Sequence, residues 1–201
     1  SEQLTPTIRE SAAALWKIYI GLTVLCLISY VLAGMDTFDA VSHALSTVSI
    51  GGFSTYDQSI GFFNNIYIEI VCIVFMLLSA TSFSLHYYSI FHGKLLKHFY
   101  DPELRFFFLV ILGIIIIISF YYLIINNLDL SSLRYIIFQT ISIVTTSGFV
   151  TGEYSLMPGF VPFLLLVGAF IGACSGSVGG GLKAWRVLII INTVSYTHLR
   201  A

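Results

Sequence analysis

Two short stretches hold the residue types that could replace the water around a bare cation. They are Thr47-Val-Ser-Ile-Gly-Gly-Phe-Ser-Thr55 and Ile143-Val-Thr-Thr-Ser-Gly-Phe-Val-Thr151, both uncharged and rich in Ser, Thr and Gly. A dehydrated alkali ion needs several oxygen ligands. Backbone carbonyls supply them without formal charge, so the ion binds and can still leave. Glycine lets successive carbonyls turn toward one axis. A third stretch, Gly172-Ala-Cys-Ser-Gly-Ser-Val-Gly-Gly-Gly181, places five glycines in ten residues inside an apolar region. Such a run cannot persist as a lipid-facing helix, so it must line a cavity or pack in protein.

Other chemistry finds no support. His43, His86, His92 and His98 form no i, i+4 pair and have no adjacent acid, so neither a zinc motif nor acid–base catalysis is read from them. Cys26, Cys72 and Cys174 are an odd number without metal-ligand spacing and read as small buried hydrophobes. Gly176 to Lys183 superficially resembles a phosphate loop, but Leu182 separates the last Gly from Lys183 and Ala184 follows. Lys183 and Arg186 read instead as snorkelling side chains. The expectation is a protein that is not an enzyme and carries no cofactor beyond a transported cation.

The elements that must position these loops follow from hydropathy. Of 201 residues, 57% are hydrophobic and 9% are charged, against about 25% charged in a soluble domain. The aromatic share of 15% suits lipid and its interface. This composition excludes a cytosolic enzyme and a disordered chain. The formal net charge of −1 offers no basic field for nucleic acid. Three runs, Ile18–Met35, Ile70–Phe91 and Phe106–Ile125, are each long enough to form a membrane helix or most of one. Gly159 to Val194 reads as one membrane element with an unwound middle. Asp36–Ser49 and Ser131–Thr146 are shorter and read as re-entrant segments, capped by Asp36 or Thr37 and by Ser131 or Ser132. Glu69 lies near the outer start of the second long run, where a structural role is expected. Ser79-Ala-Thr-Ser82 reads as a close-packing patch. A cytoplasmic N-terminus would put Arg9, Lys17, Lys94, Lys97 and Arg105 inside and only Arg134 outside, as the positive-inside rule requires. The expected localisation is a multi-pass place in a membrane.

A shift of 96 residues sets Gly52 on Gly148, Ser46 on Ser142, Val48 on Val144, Phe53 on Phe149, Thr55 on Thr151 and Ser59 on Ser155. Asp57 then faces Glu153, and Ile60 faces Leu156. The unit is helix, re-entrant segment, Gly-containing loop and helix, written twice, over 1–96 and 97–194. Residues 195–201 depart from the apolar pattern and read as a tail, foreign or truncated. Two parallel copies related by an axis along the membrane normal partly enclose a pore.

Ser46–Thr55, Thr145–Phe149 and Gly172–Lys183 closely resemble the corresponding motifs of the Trk/Ktr potassium transporter superfamily. The resemblance spans about residues 4–192. It implies an all-α polytopic fold with four helix–pore–helix repeats, of which this chain is similar to the second and third. It implies a potassium filter built from Ser49, Ile50, Gly51 and Gly52 with Thr145, Thr146, Ser147 and Gly148, the ion held by the carbonyls of Ile50, Gly51, Thr146 and Ser147. It implies a gate at Gly172, Ser175, Gly176, Ser177, Gly179, Gly180 and Gly181. Val178 departs from the threonine common in relatives. The family further implies a homodimer in the lipid of a bacterial inner membrane and a cytosolic nucleotide-binding regulatory subunit. A sodium-coupled or sodium-permeable transporter and a non-conducting membrane scaffold are the alternative readings.

Overall fold

The computed structural model of the protein describes residues 8–92, 100–125, 128–153 and 157–199. Lys94, Lys97, His98, Ser155, Leu156 and the last two residues lie outside them. Among the described residues there are eight α-helices and no strand: α1 (Ile8–Leu32), α2 (Thr37–Val48), α3 (Ile66–Ala80), α4 (Phe83–His92), α5 (Pro102–Ile124), α6 (Leu130–Val144), α7 (Val161–Ile171) and α8 (Ala184–Leu199). A 3-10 turn, Ser59–Phe63, precedes α3.

α1 and α5 are the long elements. At 1.5 Å per residue, their 25 and 23 residues extend for about 37 and 34 Å, enough to cross the hydrocarbon layer. Each divides into two faces at helical spacing. On α1, Ile18, Cys26 and Tyr30 are buried while Trp16, Ile20, Val24 and Ile28 are exposed. On α5, Phe107, Ile111, Ile114, Ile118 and Tyr122 are buried while Leu109, Leu112, Ile116 and Phe120 are exposed. An outer face this apolar calls for lipid or another apolar protein surface rather than water. The chain is a multi-pass, all-α membrane protein. α5 starts where sequence chemistry says it should. Asp101 caps it, accepting from the amides of Glu103 (2.9 Å) and Leu104 (3.0 Å), and Pro102 opens its first turn.

The short helices occupy the interior. α2 packs on α1 and α3, and α6 on α5 and α7, while α3 meets α6 across the centre. The α2 face made by Ala40, His43, Ala44, Thr47 and Val48 is buried, and Tyr30 of α1 hydrogen-bonds Thr47 (2.8 Å). All three cysteines are buried and unpaired.

Several elements differ in detail from the sequence expectation. The Ile70–Phe91 run is not one helix: α3 ends at Ala80, and α4 leaves at an angle of 96° after Thr81 and Ser82. The small residues Ser79–Ser82 mark this break rather than a close-packed helix face. The cap of α6 is Asp129, not a serine. Its carboxylate accepts from the Ser132 amide (2.8 Å) and the Ser131 hydroxyl (2.7 Å). Asp36 sits at the N-cap of α2 but makes no side-chain capping bond. At the other end of the chain, α8 runs on to Leu199, through much of the segment that reads as a tail.

Candidate functional site

Both short interior helices end in the same way. Ser49 and Thr145 close α2 and α6 in right-handed conformation, and the next residues, Ile50 (φ 53°) and Thr146 (φ 65°), are left-handed. The amide of Ile50 donates to the Thr47 carbonyl (3.1 Å) and that of Gly51 to the Ser46 carbonyl (2.8 Å). Ninety-six residues on, Thr146 donates to Ile143 (3.0 Å) and Ser147 to Ser142 (2.9 Å). This pair of bonds is the Schellman motif, in which the left-handed position is usually glycine. Here it holds β-branched residues, a strain of about 1–2 kcal/mol each. A second left-handed residue follows in each loop, Gly52 (φ 68°) and Gly148 (φ 87°).

Alternating handedness turns successive carbonyls to one side of a chain. Among the described residues, the carbonyls of Ile50, Gly51, Thr146 and Ser147 accept no hydrogen bond. The two loops approach each other most closely at Gly52. A Cβ added to Gly52 would lie 2.1 Å from the Ser147 carbonyl oxygen, whereas one on Gly148 would meet nothing within 4 Å. Glycine at 52 is therefore a condition of the loops' approach.

Side chains behind the loops fix their shape. His43 in α2 bonds the Asp39 carbonyl through Nδ1 (2.8 Å) and the Ser54 hydroxyl through Nε2 (2.9 Å). A carbonyl can only accept, so Nδ1 carries a proton and donates to Asp39. At the matching place in α6, Gln139 donates through Nε2 to the Gly152 carbonyl (2.8 Å). The Asp39 carboxylate accepts from the hydroxyls of Thr55 (2.7 Å) and Tyr56 (2.9 Å). Holding that bond, and facing the carboxylate, raises the Tyr56 phenol above its ordinary range. Ser142 donates to the Phe149 carbonyl (2.6 Å). The loops are stitched together further out, where Gly61 donates to the Val150 carbonyl (3.1 Å). Glu69 of α3 meets Arg134 of α6 in a two-point ion pair, at 2.6 and 2.8 Å.

The glycine-rich stretch lies against the inner ends of α2 and α6. A Cβ on Gly179 would come within 3.0 Å of the Thr145 carbonyl oxygen and 3.6 Å of the Ile50 Cδ1, and the Gly180 amide donates to the Thr146 hydroxyl (2.6 Å). The strained residues Ile50 and Thr146 thus both rest their side chains on this stretch. Its far edge is held by the broken helix: Cys174 donates to the Ala80 carbonyl (3.0 Å), Val178 to that of Ser79 (3.3 Å), and Phe83 donates back to Gly176 (3.1 Å). The break at Thr81 frees these α3 carbonyls for the loop. Lys183, read above as snorkelling, instead donates through Nζ to the Gly179 carbonyl. The Ser177 hydroxyl is occupied within the loop, donating to Cys174 (2.5 Å), and Ser175 contributes its amide to a carboxylate rather than a free hydroxyl.

The structure thus brings Ser49–Gly52, Thr145–Gly148 and Gly172–Gly181 into one assembly. Hydropathy and motif reading missed His43, Gln139, Asp39 and the side-chain role of Thr146. The signal for the first two was available, because they lie 96 residues apart.

Known proteins resemble this arrangement. The TrkH family, described as cation transport protein, matches residues 1–200. The Trk system potassium uptake protein TrkH of Halomonas elongata is 49% identical over 190 residues, covering 94% of this chain and 39% of that protein. Its namesake in Escherichia coli K12 is 41% identical over 195 residues, with the same coverages. The crystal structure of the potassium transporter TrkH from Vibrio parahaemolyticus superposes with a TM-score of 0.88 at 39% identity, covering all of this chain and 45% of that one. The chain spans 39% of the length of the curated relatives named here. It belongs to the TrkH family of cation transport proteins.

Proposed function

We propose that this chain forms two of the pore-lining repeats of a potassium uptake system, 1–96 and 97–194, in a transporter with further repeats. Potassium passes a filter made by Ser49–Gly52 and Thr145–Gly148 and is held by the carbonyls of Ile50, Gly51, Thr146 and Ser147. The observation that carries this reading is the pair of loops with one backbone signature, unengaged carbonyls and a contact through Gly52. The open side of Gly148 suits a ring in which another loop stands next to it. Gly172–Gly181 acts as the gate below the filter, a reading supported by its contacts with Ile50, Thr145 and Thr146. The charge asymmetry of the sequence favours a cytoplasmic N-terminus for this segment in a bacterial inner membrane. The potassium uptake named for the relatives supports the choice of ion, and the family resemblance supports a homodimer with a cytosolic nucleotide-binding subunit.

The test uses the full-length transporter. Gly52→Ser forces a side chain onto the Ser147 carbonyl, and Gly148→Ser restricts a left-handed residue. Both are expected to lower potassium uptake or relax discrimination against sodium, Gly52→Ser more severely. Normal uptake and ion preference in both variants at normal expression would refute the filter.

A further inference from the structure

We propose that Glu103 is the latch of the glycine-rich gate, holding it closed from the first turn of α5. The inference rests on the gate reading and adds to it the residue that restrains the loop.

Glu103 Oε1 accepts from the Ser175 amide (2.5 Å) and the Trp185 amide (3.2 Å). Ser175 lies in the first half of the glycine-rich stretch. Trp185 stands in the first turn of α8, just past its other end. One oxygen therefore ties both flanks of the stretch to a single point. That point is rigid: the Glu103 amide is held by the Asp101 cap, and α5 is one of the two long, continuous helices. The Lys183 ammonium bonds the Gly179 carbonyl from within the loop's own end, and the ties to the broken helix are of a weaker kind. The loop's bonds to Ser79, Ala80 and Phe83 join neutral backbone groups. A hydrogen bond to a carboxylate is roughly twice as strong as a neutral one. The α8 N-terminus adds its partial positive charge to the same carboxylate.

The loop also has somewhere to go. A cavity of about 460 Å³ opens beside it, lined by Ser82, Leu85, Glu103, Ser175, Gly176 and Trp185. Glu103 is thus in the wall of the space into which the loop would swing. Releasing the carboxylate frees both flanks at once, while the glycines allow the swing at low steric cost. The chemistry on the page thus combines a strong two-point restraint, a flexible segment and room for displacement.

The test compares cation flux into liposomes for the full-length transporter, Glu103→Ala, Glu103→Gln, a deletion within Gly176–Gly181, and the deletion combined with Glu103→Ala, at equal folded protein. A second readout is the rate at which a thiol reagent modifies Ser177→Cys in each background, which a purely structural role of Glu103 would not raise. Glu103→Ala is expected to increase flux and the Ser177→Cys reaction rate about tenfold, the scale of one lost charge-assisted bond. Glu103→Gln keeps the volume and an acceptor oxygen and is expected to give an intermediate increase, which covers the case of an Ala variant that does not fold. Once the loop is deleted, Glu103→Ala should add nothing. If the deletion raises flux while both Glu103 variants behave as wild type, the latch is wrong and the gate stands. If the deletion leaves flux unchanged or lower in folded protein, the gate reading fails and takes the latch with it.

Discussion

His43 and Gln139 differ in chemistry and do the same work. Each reaches from a short interior helix to the strand of loop that leaves the candidate filter, at Ser54 and at Gly152. Both side chains are fully buried, while the loop groups they hold are partly exposed. His43→Gln should therefore be tolerated, because the second loop already works with glutamine there. His43→Leu removes the bond to the Ser54 hydroxyl, which keeps only the Tyr56 amide, and is expected to cost about 1 kcal/mol of stability and to loosen selectivity. Thermal unfolding of the purified full-length protein, together with potassium and sodium uptake, checks both outcomes; equal damage from Gln and Leu would show that the bond is not what matters. At this scale the sequence was legible for the backbone and much less so for side chains. Ser, Thr and Gly in register marked the two loops, and the family resemblance singled out the carbonyls of Ile50, Gly51, Thr146 and Ser147. The braces were hidden because a search for matched residues passes over a histidine aligned with a glutamine. Thr146 was hidden for another reason: its hydroxyl meets an amide 34 residues away.

At the scale of elements, the two halves are joined by charge and by backbone. Glu69 is 7% exposed and its two-point pair with Arg134 crosses from α3 to α6. Arg134→Ala strands a buried carboxylate and is expected to destabilise the protein by about 2–3 kcal/mol, less than a fully buried pair because Arg134 is partly exposed. A double-mutant cycle with Glu69→Gln, read by thermal unfolding, should give a coupling of similar size; additive effects would contradict the brace. The cap of α6 carries a pH dependence. Hydrogen bonds from Ser132 and Ser131 hold the Asp129 carboxyl down at about 2, below its ordinary 3.8. A lowered carboxyl contributes stability above the ordinary value and loses it as pH falls toward the folded one. Asp129→Ala should lower the unfolding temperature at pH 7, and the difference should shrink between pH 4 and pH 2. A difference independent of pH would remove Asp129 from the cap. Element type was readable from apolar runs, since α1 and α5 followed directly from length and hydropathy. The bend after α3 was not, because Ile70–Phe91 has no Gly, Pro or formal charge to mark it and its Ser79–Ser82 patch also suits close helix packing. What stabilises the bend is non-local: the carbonyls of Ser79 and Ala80 receive amides from Val178 and Cys174, almost a hundred residues away.

At the scale of the molecule, the long helices α1 and α5 pack on two short helices, and the loops at the ends of the short pair meet through Gly52 over a floor of glycines. Strain and packing are linked in this design. Ile50 and Thr146 hold unfavourable backbone conformations while their side chains lie on the glycine-rich stretch. The central claim is that the carbonyls in these loops bind the transported ion. Anomalous diffraction from crystals of the full-length transporter soaked in thallium, a potassium mimic, tests it most directly. The account predicts an anomalous peak within coordination distance of the carbonyl oxygens of Ile50, Gly51, Thr146 and Ser147, abolished or displaced in Gly52→Ser. Thallium bound only elsewhere, with these four carbonyls unoccupied in wild-type protein, would contradict it.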